Sequence, residues 1–94
     1  MTALQTAHNA REIGQRIMAL MNVLGDSQAE FCRRTGISDQ SLSNYFHGLR
    51  RISLDQALQI CDSTGATLDW IYFGDPSGLP LKFAALAAIE PRRA

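Results

Sequence analysis

The apolar positions of this chain recur at helical spacing, in segments that open on polar capping residues and close on glycines. The first segment repeats its apolar residues every three and four positions, which places them on one face of a helix. These residues are Ile13, Ile17, Leu20, Met21 and Leu24. Asn9 and Glu12 have the spacing of a capping box, and Gly25 follows the last apolar residue. We therefore predict a first helix between Asn9 and Gly25.

Two short helices joined by a tight turn are predicted next. A second capping box, Ser27 with Glu30, starts the first of them directly after Ser27. Gly36 ends it, because glycine adopts the left-handed conformation of such a turn without steric cost. Ser38 then caps a helix from Asp39 to Phe46. Together the two helices have the spacing of a helix-turn-helix.

The second of these helices has one apolar side and one polar side. Leu42 and Tyr45 are three residues apart, so both face the preceding helix. The fifth residue of that preceding helix, Cys32, is small enough for a close crossing. The outward side chains are Asp39, Gln40, Ser43, Asn44 and His47. All five can form hydrogen bonds, so we expect a polar, exposed surface here.

Two more helices follow from their caps. Ser53 with Gln56 starts a fourth helix, which Gly65 closes. Its inward side chains are expected to be Leu54, Ala57, Leu58 and Cys61. Thr67 caps a short fifth helix that runs through Phe73.

An apolar tail ends the chain. Pro80 can open a helix from Leu81 to Ile89, and no segment has the alternation of a strand, so the predicted class is all-α. Leu81, Ala84, Ala85 and Ala88 form one stripe of this tail, and Phe83, Leu86 and Ile89 form a second. More of the circumference of this tail is apolar than would be buried by packing against one side of a small domain. Either it folds back on its own core, or it joins a second copy of the chain.

Length and composition indicate a single globular domain. The chain has 94 residues, of which 46% are hydrophobic, and no apolar run approaches the roughly 20 residues that span a bilayer. The N-terminus has no basic start followed by an apolar segment, so we expect no secretory signal and a cytoplasmic protein. We expect residues 1–78 to form the main domain, and residues 79–94 to add an apolar helix and a short basic tail to it.

The sequence offers no metal site, cofactor site or enzyme motif. Cys32 and Cys61 fall at inward helix positions and are expected to be buried thiols, and His8 and His47 do not stand at zinc-site spacing with them. No nucleophile and base are recognisable as a pair, and no glycine-rich loop could hold a phosphate. We therefore expect a binding protein without a cofactor.

The segment from Ile13 to Gly74 resembles the phage-repressor (Cro/CI, or XRE-type) helix-turn-helix family. The resemblance covers about two-thirds of the chain without gaps in register. It rests on Ile13, Gly14, Arg16, Ser27, Gln28, Ala29, Glu30, Gly36, Ser38, Leu42, Ser43, Asn44, Tyr45, Gly48, Arg50, Ser53, Leu54, Leu68, Asp69 and Trp70. It implies a lambda-repressor-like five-helix domain that binds double-stranded DNA with the helix from Asp39 to Phe46.

The resemblance also assigns roles to individual residues. It implies phosphate contacts by Gln28, His47, Arg50 and Arg51. It implies base reading in the major groove by Asp39, Gln40 and Asn44, with Ser38 and Ser43 as helpers. Amide side chains suit adenine, and a carboxylate accepts from cytosine N4. Two simpler interpretations stay open. Asn44 could be a helix residue that only faces solvent, and Asp39 could only stabilise its own helix, whose N-terminal end is positive.

Charge modifies this picture. Nine basic and nine acidic residues give a formal net charge of zero, whereas nucleic-acid-binding proteins usually carry a basic surface. The charges are separated along the chain, however. Arg33, Arg34, Arg50 and Arg51 lie near the helix-turn-helix, and Asp55, Asp62, Asp69 and Asp75 follow it. Such a dipole can orient the domain on a polyanion.

Two function classes follow from the sequence. The first is a sequence-specific regulator of transcription, a repressor in its simplest form, that binds DNA as a homodimer. The dimer contacts would come from Trp70, Phe83 and Leu86 in the fifth helix and the tail. The second is a protein-interaction or antitoxin-like module on the same fold, with weak DNA binding, since a fold does not determine a function.

Overall fold

The computed structural model describes residues 9–88, which form five α-helices and one 3₁₀ segment and contain no strand. The elements are α1 (Ala10–Leu24), α2 (Gln28–Thr35), α3 (Asp39–Phe46), α4 (Leu54–Thr64), α5 (Leu68–Phe73) and the 3₁₀ segment (Leu81–Ala88). This confirms the predicted all-α class. Predictions for residues before Asn9, for Ile89 and for the basic C-terminal end lie outside the described residues.

Each α-helix begins at the capping residue that the sequence predicts. Asn9 Oδ1 accepts from the Glu12 backbone N–H at 2.8 Å. The capping box of α2 is reciprocal, since Ser27 Oγ accepts from the Glu30 N–H and Glu30 Oε1 accepts from the Ser27 N–H at 2.7 Å. The remaining caps are Ser38, Ser53 and Thr67. These bonds satisfy N–H groups that have no partner within the helix, so the helix starts are locally determined.

Helix α1 supplies one side of the core. Ile13, Ile17 and Leu20 are buried on it. They belong to one apolar cluster that draws on every element and includes Phe31, Ile37, Leu42, Ile52, Ile60, Trp70 and Ile71. Arg16 lies on the same helix with only 2% of its surface exposed, and its Nε donates to the Ile71 carbonyl at 3.0 Å. This bond ties α1 to α5, because a buried guanidinium requires an acceptor.

Helices α1 and α3 are in close contact at Gly14. A Cβ atom at this position would lie 2.9 Å from the Tyr45 carbonyl carbon and closer still to the carbonyl oxygen. Real Cβ atoms do not come this near to backbone atoms, so only glycine permits the observed distance between the two helices. Gly14 therefore allows the short distance between α1 and α3 that fixes the position of α3 in the domain.

The inward face of α4 differs from the predicted one. Leu54 and Leu58 are exposed by 56% and 41%, and the helix instead buries Ala57, Ile60 and Thr64. Both sets of residues have helical spacing, and they lie on adjacent faces of the same helix. The prediction that Leu54 and Leu58 face inward is therefore wrong. Ala57 is inward as predicted, and Cys61 is partly buried against the core.

The tail also needs correction. It forms a 3₁₀ segment with a kink at Phe83, rather than a regular α-helix. Side chains three residues apart overlap in a 3₁₀ helix, so Phe83 and Leu86 share one side, and both are buried with at most 1% exposure. Trp70 is likewise fully buried. The predicted dimer contacts of Trp70, Phe83 and Leu86 are thus corrected: these side chains seal the core of their own chain.

The role of Gly14 can be tested by Gly14→Ala. In an open helix this change would favour folding by about 1 kcal/mol through helix propensity. Here we expect a net loss of about 1–3 kcal/mol, because the added methyl group overlaps the Tyr45 carbonyl. Thermal unfolding should show a midpoint lowered by at least about 5 °C.

Gly78→Ala is the matched control for this change. A Cβ at Gly78 would make an ordinary contact with Thr67 Cγ2 at 3.6 Å. We expect its midpoint to stay the same or rise slightly. Equal stability of the Gly14→Ala and Gly78→Ala proteins would contradict the conclusion that only glycine fits between α1 and α3.

Candidate nucleic-acid interface

The turn between α2 and α3 is held by a small set of hydrogen bonds from backbone groups and from the Thr35 hydroxyl. Gly36 ends α2 in the left-handed conformation with φ of 78°, and its N–H donates to the Cys32 carbonyl at 2.8 Å. Thr35 Oγ1 donates to the Phe31 carbonyl at 2.8 Å and accepts from the Ile37 N–H at 3.2 Å. Ile37 is buried directly before the Ser38 cap. The direction of α3 relative to α2 is therefore determined within a few residues.

The outward face of α3 contains the residues predicted to read bases. Leu42 and Tyr45 are buried beneath them, as the spacing predicts. The five outward residues are Ser38, Asp39 and Gln40, which are exposed, and Ser43 and Asn44, which are partly buried. Gln40 Nε2 donates to Asn44 Oδ1 at a long 3.4 Å, one turn along the helix. The structure thus places these polar groups on one surface, where they are available to a ligand.

Gln28 connects α2 to this surface. Its Nε2 donates to Asp39 Oδ1 at 2.8 Å and to Ser43 Oγ at 3.0 Å. Because a carboxylate only accepts hydrogen bonds, the amide nitrogen must be the atom that faces Asp39. Both amide hydrogens of Gln28 therefore have acceptors within the chain. In this state Gln28 positions Asp39 and Ser43, a role that the sequence did not indicate.

The loop after α3 presents the predicted phosphate-contacting residues. His47 Nδ1 lies 2.8 Å from the Ser43 carbonyl, which only accepts, so Nδ1 carries a proton and donates. Arg50 and Arg51 are exposed, and no ion pair within residues 9–88 engages either side chain. The loop is anchored at its end, because Tyr72 Oη donates to the carbonyl of the buried Ile52 at 3.0 Å. Burial raises the pKa of the Tyr72 phenol.

Arg11 is a candidate that sequence reasoning missed. Its Cα lies 3.2 Å from the position that a Cβ at Gly48 would take, so the start of α1 packs against the loop after α3. Arg11 is exposed, and its backbone lies next to Gly48, in the loop that also carries Arg50 and Arg51. Nothing in the spacing of Arg11 could have shown this, because the contact joins segments 37 residues apart in sequence.

Arg34 is removed from the interface by an ion pair. It binds Asp26 through two contacts, from Nε to Oδ2 at 2.6 Å and from Nη2 to Oδ1 at 2.9 Å. The hydrogen bond from Arg34 lowers the pKa of the Asp26 carboxyl. Both contacts of the Arg34 guanidinium are thus made to a carboxylate of its own chain. Arg33 is exposed and has no ion pair among the described residues.

Charges of opposite sign lie at different parts of the surface. Arg50 and Arg51 lie in the loop after α3 and the backbone of Arg11 packs against that loop, whereas Asp55, Asp62 and Asp69 are exposed on α4 and α5. The loop after α3 is therefore basic, although the exposed Asp39 lies on the adjoining helix and the formal net charge of the chain is zero. A polyanion would be attracted to this side and repelled by the other, and both effects weaken as salt screens the charges.

The described residues form neither a metal-binding cluster nor a membrane-spanning helix. Between residues 9 and 88, no three or more His, Cys, Asp or Glu side chains come together as a possible metal site. No helix in this range has the length and apolar character needed to cross a membrane. Cys32 and Cys61 are unpaired and partly buried, and burial raises the pKa of both thiols. They resemble small core residues more than reactive groups.

Comparison with known proteins agrees with this geometry. A family model described as helix-turn-helix matches residues 17–71, which is more than half of the chain. Comparison with curated proteins and with solved structures returned no match. The matched range contains every residue predicted to read bases or to contact phosphate. The chain therefore belongs to the XRE-type, Cro/CI-like helix-turn-helix family, which consists of DNA-binding regulators and not of enzymes.

Proposed function

We propose that this protein is a sequence-specific regulator that binds double-stranded DNA through the outward face of α3 in the major groove. The observation that carries the proposal is the combination of that polar face with the exposed arginines of the adjoining loop. Base edges are read by hydrogen-bonding side chains, and phosphates are bound by cations at the rim. Occupation of a promoter by such a domain blocks polymerase without further contacts, so repression is the mode of action that we propose.

The proposed roles divide between reading and anchoring. Gln40 and Asn44 present amide groups that suit adenine N6 and N7, and they are the main base-reading candidates. Ser38 and Ser43 assist them, although Ser38 Oγ also accepts from the Ser41 N–H as the helix cap. The hydrogen bond from Gln28 fixes the orientation of the Asp39 carboxylate. A cytosine amine can therefore donate to Asp39 only from the side that Gln28 leaves open.

Anchoring falls to the loop and the start of α2. Arg50 and Arg51 reach phosphates directly, and His47 can donate from Nε2 only when the ring is protonated, because Nδ1 is already bound. Gln28 remains a proposed phosphate contact. To make it, the Gln28 amide must release Asp39 or Ser43, since these residues accept from it in the free protein.

The interaction-module alternative loses its main support. It relied on an apolar tail that could bind a partner, but Phe83 and Leu86 of that tail are buried in the core of the chain itself. Its remaining argument is the zero net charge. Absence of DNA binding in the experiments below would return us to this alternative.

The first test concerns anchoring. We expect the affinity of the chain for duplex DNA to fall steeply between roughly 50 and 200 mM salt, because phosphate binding releases counterions. Replacing Arg50 and Arg51 together by Ala should weaken binding to all sequences about equally. It should also reduce the slope of log K against log salt by about 0.9 for each phosphate that is no longer neutralised. Fluorescence anisotropy titrations at several salt concentrations measure both effects.

Lys82→Ala is the control for removal of a positive charge. Lys82 lies at the opposite end of α4 from the loop, with its Nζ near Gly65. We expect this variant to keep almost the full affinity and slope of the unmodified chain. Binding that responds neither to salt nor to the arginine substitutions would contradict the proposal.

The second test concerns reading. A preferred site is first selected by the unmodified chain from a pool of random duplexes. Gln40→Ala and Asn44→Ala should each cost about 1–3 kcal/mol on that site and relax the preference at one base pair. Because both side chains point outward, thermal stability should hardly change. Gln15→Ala, an exposed glutamine on α1, should alter neither affinity nor preference. Unchanged preference in both α3 variants would show that other residues read the bases.

A further inference from the structure

Leu49 is an apolar residue that the fold leaves in water. It is 72% exposed, and it lies outside the apolar cluster that the described residues form. It belongs to the loop after α3, between Gly48 and Arg50. An isolated exposed leucine is ordinary on a protein surface, so its significance depends on where the fold places it.

The backbone of Leu49 is fixed against the end of α3. Gly48 has a left-handed φ of 72°, and its N–H donates to the Tyr45 carbonyl at 3.0 Å. The Leu49 N–H donates to the Asn44 carbonyl at 2.9 Å. These two bonds form a Schellman motif, in which an apolar residue at the position of Leu49 commonly packs on an apolar side chain five or six residues before it. Here those residues are the polar Asn44 and Ser43, so the helix end does not bury Leu49.

The neighbours of Leu49 belong to the proposed DNA-binding surface. Asn44, whose carbonyl accepts from Leu49, is a proposed base-reading residue. Arg50 and Arg51 follow Leu49 directly and are proposed phosphate contacts. Leu49 is therefore an apolar residue between the groups assigned to base edges and the groups assigned to phosphates. In this position it exchanges its contact with water for a contact with DNA when the complex forms.

We propose that Leu49 contacts the methyl group of a thymine and thereby contributes to sequence preference. This inference rests on the proposed DNA-binding function. Among the groups that base pairs present in the major groove, the thymine methyl group is the apolar one. A leucine beside any other base edge would displace water from donors or acceptors without replacing their hydrogen bonds. The amide of Asn44 suits adenine, so the site that it reads contains thymine in the opposite strand.

The test removes the methyl group from the DNA. In the site that the unmodified chain selects from a random pool, one thymine at a time is replaced by deoxyuridine, which keeps every hydrogen-bonding group and lacks only the methyl. We expect at least one replacement to weaken binding about fourfold, the factor that corresponds to burial of one methyl-sized group. Leu49→Ala should bind the thymine duplex more weakly and show no further loss at that position, because the two changes remove the same contact. Leu49→Met keeps an apolar side chain of similar size and should retain the loss with deoxyuridine.

Leu81→Ala is the control, because Leu81 is 90% exposed but lies on the tail. It should leave both the affinity and the response to deoxyuridine unchanged, and thermal unfolding verifies that each variant is folded. Three results would each overturn the inference. They are a selected site in which no deoxyuridine replacement weakens binding, losses that persist in Leu49→Ala at every position, and a Leu49→Ala defect that is equal on thymine and deoxyuridine duplexes, which indicates a contact with deoxyribose. Failure of the unmodified chain to bind any duplex would instead overturn the proposed function.

Discussion

The close contact between Gly14 and the Tyr45 backbone is the constraint on which the geometry of the interface depends. It sets the separation of α1 and α3, and no side chain larger than hydrogen fits between them. Tyr45 then extends the constraint, because its hydroxyl donates to Gln56 Oε1 on α4. Arg16, two residues after Gly14, binds the Ile71 carbonyl of α5. Helix α1 thus positions the proposed reading helix and the C-terminal half of the domain together.

The polar surface on this framework is partly organised before any ligand arrives. Gln28 binds Asp39 and Ser43, and Gln40 lies near Asn44, so several side chains have restricted positions in the free protein. Restricting a flexible side chain in advance lowers the entropy cost of binding by about 0.5–1.5 kcal/mol per side chain. The same hydrogen bonds limit which bases can bind, because a base that breaks one of them must supply a hydrogen bond of equal strength in its place. Since the formal net charge is zero, we expect weak non-specific attraction, which leaves more of the discrimination between sites to these hydrogen bonds.

Local patterns in the sequence determined the five helices and their ends, because a cap and a terminating glycine act within a few residues of each other. Ser27 with Glu30, and Ser38 after Gly36, are sufficient to define the helix-turn-helix, and the polar face of α3 follows from helical spacing alone. The family resemblance has the same origin, since it depends on these local residues. The identity of the candidate site was therefore accessible from the sequence.

The tertiary structure decided which of several equivalent faces is buried. In α4 the sets Leu54–Leu58 and Ala57–Ile60 both have helical spacing, and only the packing of the other helices selects the second. In the tail, Phe83 and Leu86 could have joined a second copy, but a kinked 3₁₀ segment directs them into the core of their own chain. Two further contacts could not be predicted from the sequence, namely the hydrogen bond from Gln28 to Asp39 and the packing of Arg11 against Gly48. Each depends on the relative placement of separate helices, which short-range capping and periodicity do not specify.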